Sequence, residues 1–301
     1  MNRIRIVLAT ALLLIISAAG VRAQSVPLLA APPSAAFESL KTFYPVSSFE
    51  SIEPTLPVPA AGRSLETGLT GEQLFQELHK TLAVTNGPVP TYKQAKVYMY
   101  SKADNITCNG GPGIMTFYSQ ICVNGSSSNG NDYHEQGDQN GDGIVDKIVN
   151  AEHLWPQSYF NSALPMVADL HQLASTFETP NSRRSNLKFT KVSKPIYSTS
   201  SGSKLGVDGF EPADAVKGNV ARAMLYFLTR YYDRSIRKGM NYNDFWTLRV
   251  PMFLEWNRQD PPDANERRRN DLVETFEGKR NPFIDDPSLA DRIGEAVFSA
   301  H

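Results

Sequence analysis

Apolar positions near the start of the chain's patterned region recur at helical spacing: Leu74, Phe75, Leu78 and Leu82 line one face. Thr70 and Gln73 form a capping-box pair ahead of them, Leu69 and Leu74 are spaced for a hydrophobic staple, and Gly87 supplies a stop. A helix is therefore predicted from Thr70 towards Gly87. Residues 96–100 and 114–118 are short and rich in aromatic and β-branched side chains, which predicts extended segments. Residues 124–131 are Gly, Ser and Asn with almost no apolar side chain, as in a surface loop. Ile148 and Val149 make a short β-like run. Further on, Val220, Ala223, Met224, Phe227, Leu228 and Tyr231 follow the spacing of a buried helical stripe, with Arg222, Tyr226 and Arg230 on a different face. Pro251 opens a short helix carrying Phe253, Leu254 and Trp256. Another helix is predicted over 263–276, stopped by Gly278.

These elements predict an α+β chain without internal repeats. Residues 65–287 are expected to form one domain, preceded by a Pro/Ala/Ser-rich arm or pro-segment over 24–64 and followed by a tail over 288–301. Residues 1–23 carry Arg3 and Arg5, then an apolar run to Gly20, then Val21-Arg22-Ala23. That order is expected of a secretory signal peptide, and the run is short for a bilayer span of roughly 20 residues. The expected protein is secreted or periplasmic, without stable membrane insertion. Removing the leader takes three of the 30 Lys and Arg and none of the 31 Asp and Glu, so the formal net charge moves from −1 to −4. A polyanion must then be held by a local patch of Lys and Arg. Two cysteines, Cys108 and Cys122, in an exported chain predict a disulfide, and they are too few for a zinc-thiolate cluster.

The candidate chemistry sits between residues 138 and 189. Of five histidines, His79 and His301 are read as surface groups and His134 lies in a polar loop. His153 follows Glu152 at the end of the β-like run. A neutral imidazole takes a proton from water near physiological pH, and the adjacent carboxylate is a metal-ligand type. An imidazole titrating near its ordinary value of about 6.5 predicts activity rising through that pH. The amide of Asn181, a helix cap or early helix residue, would complete an oxygen site for a hard cation with Glu152. Arg183 and Arg184 follow closely, placed to hold phosphate oxygens. Base, cation and leaving-group assistance are what phosphodiester hydrolysis requires.

Glu152-His153-Leu154-Trp155-Pro156-Gln157-Ser158, Asp169-Leu170-His171 and the 181–186 segment, in that order, resemble the bacterial endonuclease I family. Those are secreted or periplasmic nucleases of the His-Me finger (ββα-metal) class. The likeness extends through Gly218-Asn219-Val220-Ala221-Arg222-Ala223 and Arg280-Asn281-Pro282-Phe283-Ile284-Asp285. It implies a His-Me finger core embedded in a mainly helical single domain, with His153 as general base. It implies Glu152 and Asn181 as ligands of one Mg²⁺ or Mn²⁺, and cleavage of DNA and RNA to 5′-phosphate products without sequence choice. Some relatives carry a basic insertion after the Glu-His pair that supplies a phosphate-holding Arg. Here 154–168 contains no Lys or Arg, which leaves Arg183, Arg184 or Arg222 for that role, or no clamp at all. Asp169 and His171 are expected beside the site as supporting groups, with direct chemistry by His171 as the alternative.

A second metal signature precedes the Glu-His pair. Asp138, Asn140, Asp142 and Asp146 place side-chain oxygens at the first, third, fifth and ninth positions of a loop, with Gly143 for the turn. The seventh position, Ile144, offers a backbone carbonyl, as in the opening of an EF-hand-type calcium loop. The twelfth is Val149 instead of Glu. The expected ion is structural Ca²⁺, with an ion-free acidic turn as the alternative. An extracellular calcium-dependent adhesion or docking module without catalysis would explain this loop and the leader, but not Glu152-His153 with Asn181.

Overall fold

The computed structural model describes residues 68–84 and 88–301. The expected leader, the arm, the first residues of the expected domain and Gly87 lie outside the described residues. The first helix, α1 (Gly71–Ala83), buries Leu74, Phe75, Leu78 and Leu82 as their spacing predicts, although its N-cap Thr70 makes no side-chain capping bond.

Residues 96–100, expected as extended, are helical instead. Thr91 and Gln94 close a reciprocal capping box, α2 (Tyr92–Tyr98) follows, and a π-helical turn continues over Met99–Ala103. Ala95, Met99, Tyr100 and Ala103 are the buried positions. That helical period outweighs the β-propensity of Val97, Tyr98 and Tyr100.

A three-stranded antiparallel sheet comes next: β1 (Asn105–Cys108), β2 (Gly111–Met115) and β3 (Cys122–Asn124). The expected extended segment over 114–118 is strand only to Met115. A Cys108–Cys122 disulfide ties β1 to β3 across it. Closing a loop of about 15 residues restricts the unfolded chain by roughly 3 kcal/mol in the chain-entropy model. The loop that follows is mainly irregular, but Gly130 within it is buried. A Cβ there would lie 2.1 Å from the Val149 carbonyl, so only glycine lets this loop press on the next strand.

That strand, β4 (Val149–His153), pairs antiparallel with β5 (Leu173–Phe177), Glu152 opposite Ala174 and His153 opposite Leu173. All of β5 is buried. The chain then turns directly into α3 (Glu178–Arg184), giving a strand, strand, helix unit. A small sheet of β6 (Tyr197–Ser198), β7 (Lys204–Leu205) and β8 (Phe210–Glu211) leads to α4 (Lys217–Tyr231).

Every residue of α4 from Val220 to Tyr231 is buried, including Arg222, Tyr226 and Arg230 on what the pattern marks as a separate face. Arg222 is paired with Glu266 and Arg230 with Asp169, which makes that burial affordable for charged side chains. Against α4 pack α1 and α6 (Val250–Gln259), with Pro251 in its first turn; α5 (Tyr242–Phe245) precedes α6, and α7 (Ala264–Glu277), tied to α4 by the Arg222–Glu266 pair, is capped by the Asp263 carboxylate and closed by Gly278 at φ 67°. The chain ends in α8 (Pro282–Asp285), α9 (Ser288–Ile293) and α10 (Glu295–Ala300). Residues 288–301, expected as a tail, belong to the core: Leu289, Ala290, Ile293 and Phe298 are buried, and the His301 ring stacks 4.2 Å from that of Phe75. The observed architecture is α+β, small antiparallel sheets within a helical shell. Among the described residues no helix is long and apolar enough to cross a membrane.

Candidate functional site

Glu152 and His153 close β4 and are both buried, at 3% and 5% exposure. Tyr118 from the turn after β2 donates to Glu152 Oε1 at 2.6 Å, and Arg184 from the end of α3 donates to the same oxygen at 2.8 Å. Both side-chain bonds fall on Oε1, and the His153 backbone amide also steadies the carboxyl. Burial pushes the Glu152 carboxyl above its ordinary value even against the Arg184 charge and the Tyr118 hydroxyl. Tyr118 is raised well above its usual range by burial and by the Glu152 charge, so it stays a hydroxyl donor. One carboxylate oxygen is thus anchored by two side chains, and the other takes no side-chain donor in a desolvated place.

Asn181 shows the same division. It sits in the middle of α3, and its Nδ2 donates to Asn150 Oδ1 at 2.6 Å. Asn150 lies two residues before Glu152 on β4 and therefore shares its strand face. The amide nitrogen being held, Asn181 Oδ1 is the free end and accepts from no described residue. Glu152 and Asn181 thus offer oxygen donors of the type Mg²⁺ and Mn²⁺ take, and the oxygens on both that take no side-chain donor fit such an ion. Among the described residues no three His, Cys, Asp or Glu side chains converge as a ligand cluster. A site here would be completed by the amide and water.

His153 is oriented from the far end of the connection between β4 and β5. Its Nε2 lies 3.1 Å from the Val167 carbonyl. A carbonyl only accepts, so Nε2 carries the hydrogen and Nδ1 keeps its lone pair. Burial lowers the imidazole to about 4, the Val167 bond opposing and the Arg184 and Lys96 charges adding to the drop. His153 is neutral at physiological pH, and the inflection predicted near pH 6.5 moves to lower pH.

Asp169 and His171 hold that connection. Asp169 Oδ2 accepts from Tyr226, Arg230 and Tyr231, all on α4, while Oδ1 accepts from the His171 amide. His171 is buried, its Nε2 donating to the Lys279 carbonyl. Both serve the turn that presents Val167, and neither makes a bond to Glu152 or His153.

The arginines are placed differently from expectation. Arg184 and Arg222 are fully buried. Arg184 spends its donors on Glu152 and on the carbonyls of His153, Leu154 and Leu187. Arg222 is committed to Glu266, Asn257 and the Asp260 carbonyl. Each makes four of the five bonds a guanidinium can donate and has no exposed surface, so neither is placed to hold phosphate. Arg183 is exposed, its guanidinium 5.5 Å from the centre of the Tyr197 ring. Two residues near His153 escaped the sequence reading: Tyr92, in a stretch assigned no element, and Lys96, in the segment expected as extended. The Tyr92 ring lies 5.3 Å from that of His153, and Lys96 Nζ lies 4.8 Å over Tyr92. Tyr92 is pushed up to about 12 by burial and by the Glu152 charge. Lys96 makes no ion pair with a described residue.

Arg184→Met should destabilise the fold by about 3–5 kcal/mol, because it strands the buried Glu152 carboxylate without its cation. For a domain of this size that corresponds to a fall in Tm on the order of 10 °C. A thermal melt within 2 °C of wild type would show that Arg184 is dispensable to Glu152.

Comparison with known proteins returns one family model, Endonuclease I, matching residues 70–288. Two curated relatives are similar to this chain: the extracellular ribonucleases of Bacillus amyloliquefaciens and of Bacillus subtilis (strain 168). Each is 35% identical over 154 residues, covering 48% of this chain and 53% of the relative. The chain spans about half the length of these relatives.

Proposed function

The chain belongs to the endonuclease I family, and from that membership we propose that it is a secreted, cation-dependent, non-specific endonuclease. The observation that carries this reading is the division of each site group into a held end and a free end: Glu152 Oε2, Asn181 Oδ1 and His153 Nδ1. In this reading β4, β5 and α3 are the two strands and helix of a His-Me finger. Glu152 and Asn181 hold Mg²⁺ or Mn²⁺, which stabilises charge on the departing 3′ oxygen when bound. His153 Nδ1 takes the proton of the attacking water, and the phosphate stays on the 5′ side. Being neutral, His153 needs no prior deprotonation. DNA and RNA are both substrates, and the name ribonuclease borne by the two relatives supports RNA. Nicking of supercoiled plasmid and fragmentation of a long RNA, each with and without EDTA, test the reading. Cleavage that survives EDTA, or none with Mg²⁺ or Mn²⁺ present, would defeat it.

In this reading phosphate is held by Lys96, whose charge acts on His153, and by Arg183, exposed on the same helix as Asn181, and not by Arg184 or Arg222. Lys96→Ala and Arg183→Ala should each weaken binding to all sequences alike and reduce the salt slope by about 1. A changed sequence preference at constant slope would refute this placement.

A further inference from the structure

The loop over 138–146 takes no part in the reaction above, yet it holds a buried oxygen that the protein leaves unsatisfied. Asn140 is 0% exposed. Its Nδ2 donates to Glu135 Oε1 at 3.1 Å and to Asp146 Oδ2 at 3.3 Å. These bonds fix which end of the amide is which, and Oδ1, buried as well, has no partner among the described residues. Burying an amide oxygen unpaired is costly, and native proteins seldom do so without an ion or water in attendance. Its neighbours cannot help, because they are acceptors. Glu135 and Asp146 are buried, and their carboxylates already accept the Asn140 amide hydrogens.

The surrounding backbone is wrapped as the spacing of the motif requires. Asp138 accepts from the amides of Asp142 and Gly143 at 3.0 and 2.9 Å, and Asp142 Oδ1 accepts from the Ile144 amide at 2.9 Å. Gly141 and Gly143 have φ of 69° and 88°, a conformation that favours glycine. The result is a net negative, oxygen-only donor set mixing amide, main-chain carbonyl and carboxylate. Ca²⁺ accepts such irregular sets of six to eight oxygens, whereas Mg²⁺ demands near-octahedral geometry.

We propose that this loop closes on Ca²⁺ as a structural site separate from the catalytic pair, with Asn140 Oδ1 and Asp146 at its buried end and Asp138, Asp142 and the Ile144 carbonyl drawn in by the ion, since among the described residues no three carboxylates already converge. The ion stabilises the loop and, through Asp146, the start of the helix that carries Asn181. Asp146 Oδ1 accepts from both the amide and the hydroxyl of Thr179, two residues ahead of Asn181. The proposal does not rest on the nuclease reading.

The test uses the full chain stripped with EDTA, and calcium chloride alone as the probe, followed by calorimetric titration and thermal melting. Wild type should bind one Ca²⁺ per chain, with Kd at or below about 10⁻³ M, as extracellular modules do. Its Tm should rise by several degrees at ~10 mM calcium, since the ion binds only the folded state. Asp138→Ala and Asp142→Ala, at less buried positions and so safer to the fold than Asn140→Ala, should each weaken binding at least tenfold and remove most of the shift. Glu152→Gln should keep both. Absence of binding at ~10 mM overturns the proposal. So does binding undiminished in Asp138→Ala and Asp142→Ala, or lost in Glu152→Gln, which would place the calcium at the catalytic pair.

Discussion

His153→Ala should lower single-turnover cleavage at saturating Mg²⁺ by about 10²–10⁴-fold, the loss typical of a missing general base. Nucleic acid and metal binding should stay near wild type, because the imidazole makes no hydrogen bond to Glu152 or Asn181; among the described residues its one hydrogen-bond partner is the Val167 carbonyl. The sign of the pH dependence follows from the same geometry. The neutral ring is the competent form, and burial lowers its pKa to about 4. Activity at saturating metal should therefore hold level from neutral pH down to about pH 5, and fall only below that. Two results would count against His153 as the base: a wild-type rate in the alanine variant across a metal titration, or an acid limb inflecting at 6.5 or above.

The second large effect falls on metal binding. Glu152→Gln and Asn181→Ala should each raise the Kd for Mn²⁺, measured by titration without substrate, by more than about 100-fold. That bound is set by the ~10–100-fold cost of losing merely a supporting partner. Excess metal should restore part of their rate, while none rescues His153→Ala. Asn150→Ala belongs in this series as a positioning variant: it frees the Asn181 amide to turn, and should weaken Mn²⁺ binding within the ~10–100-fold range. Asn150→Asp keeps an acceptor for Asn181 Nδ2 and should recover most of the affinity. Wild-type affinity in Asn181→Ala would remove Asn181 from the metal site. Wild-type affinity in Asn150→Ala alone would remove only its positioning role.

Much of this molecule could be read from periodicity and end signals. The buried face of α1 follows the apolar spacing, α4 is a helix where its stripe marks one although it is buried on every side, and α7 starts on Asp263 and stops at Gly278 as its caps predict. Local signals failed where they conflicted. In 96–100 the aromatic and β-branched side chains read as strand, whereas the folded chain starts a helix from a capping box at Thr91 that the reading did not include. Residues 288–301 looked like a tail because α9 and α10 are each six residues long, too short to show a repeating face; packing on α1 makes them helices. Nearness in sequence marked Glu152 and His153 but misled for Arg184. Position after Asn181 suggested a phosphate ligand, whereas the turn of α3 points its guanidinium inward at Glu152. Tyr118 and Lys96 come to the site from 34 and 57 residues away from Glu152 and His153, along no periodic pattern. Contacts of that kind exist only once the chain has closed.

The long connection between β4 and β5 bears on how portable this chemistry is. A strand, strand, helix piece looks like a module that could be lifted onto another scaffold with its three reactive groups in place. Here its parts are registered from outside: Glu152 by Tyr118 on the disulfide-tied sheet, and Val167, hence His153, by an Asp169 whose side-chain partners all sit on α4. A graft of residues 149–184 would keep the ligands and lose the rulers that aim them. Transplanting the activity would require carrying α4 and the 105–124 sheet along, so the smallest transferable unit is close to the whole described domain.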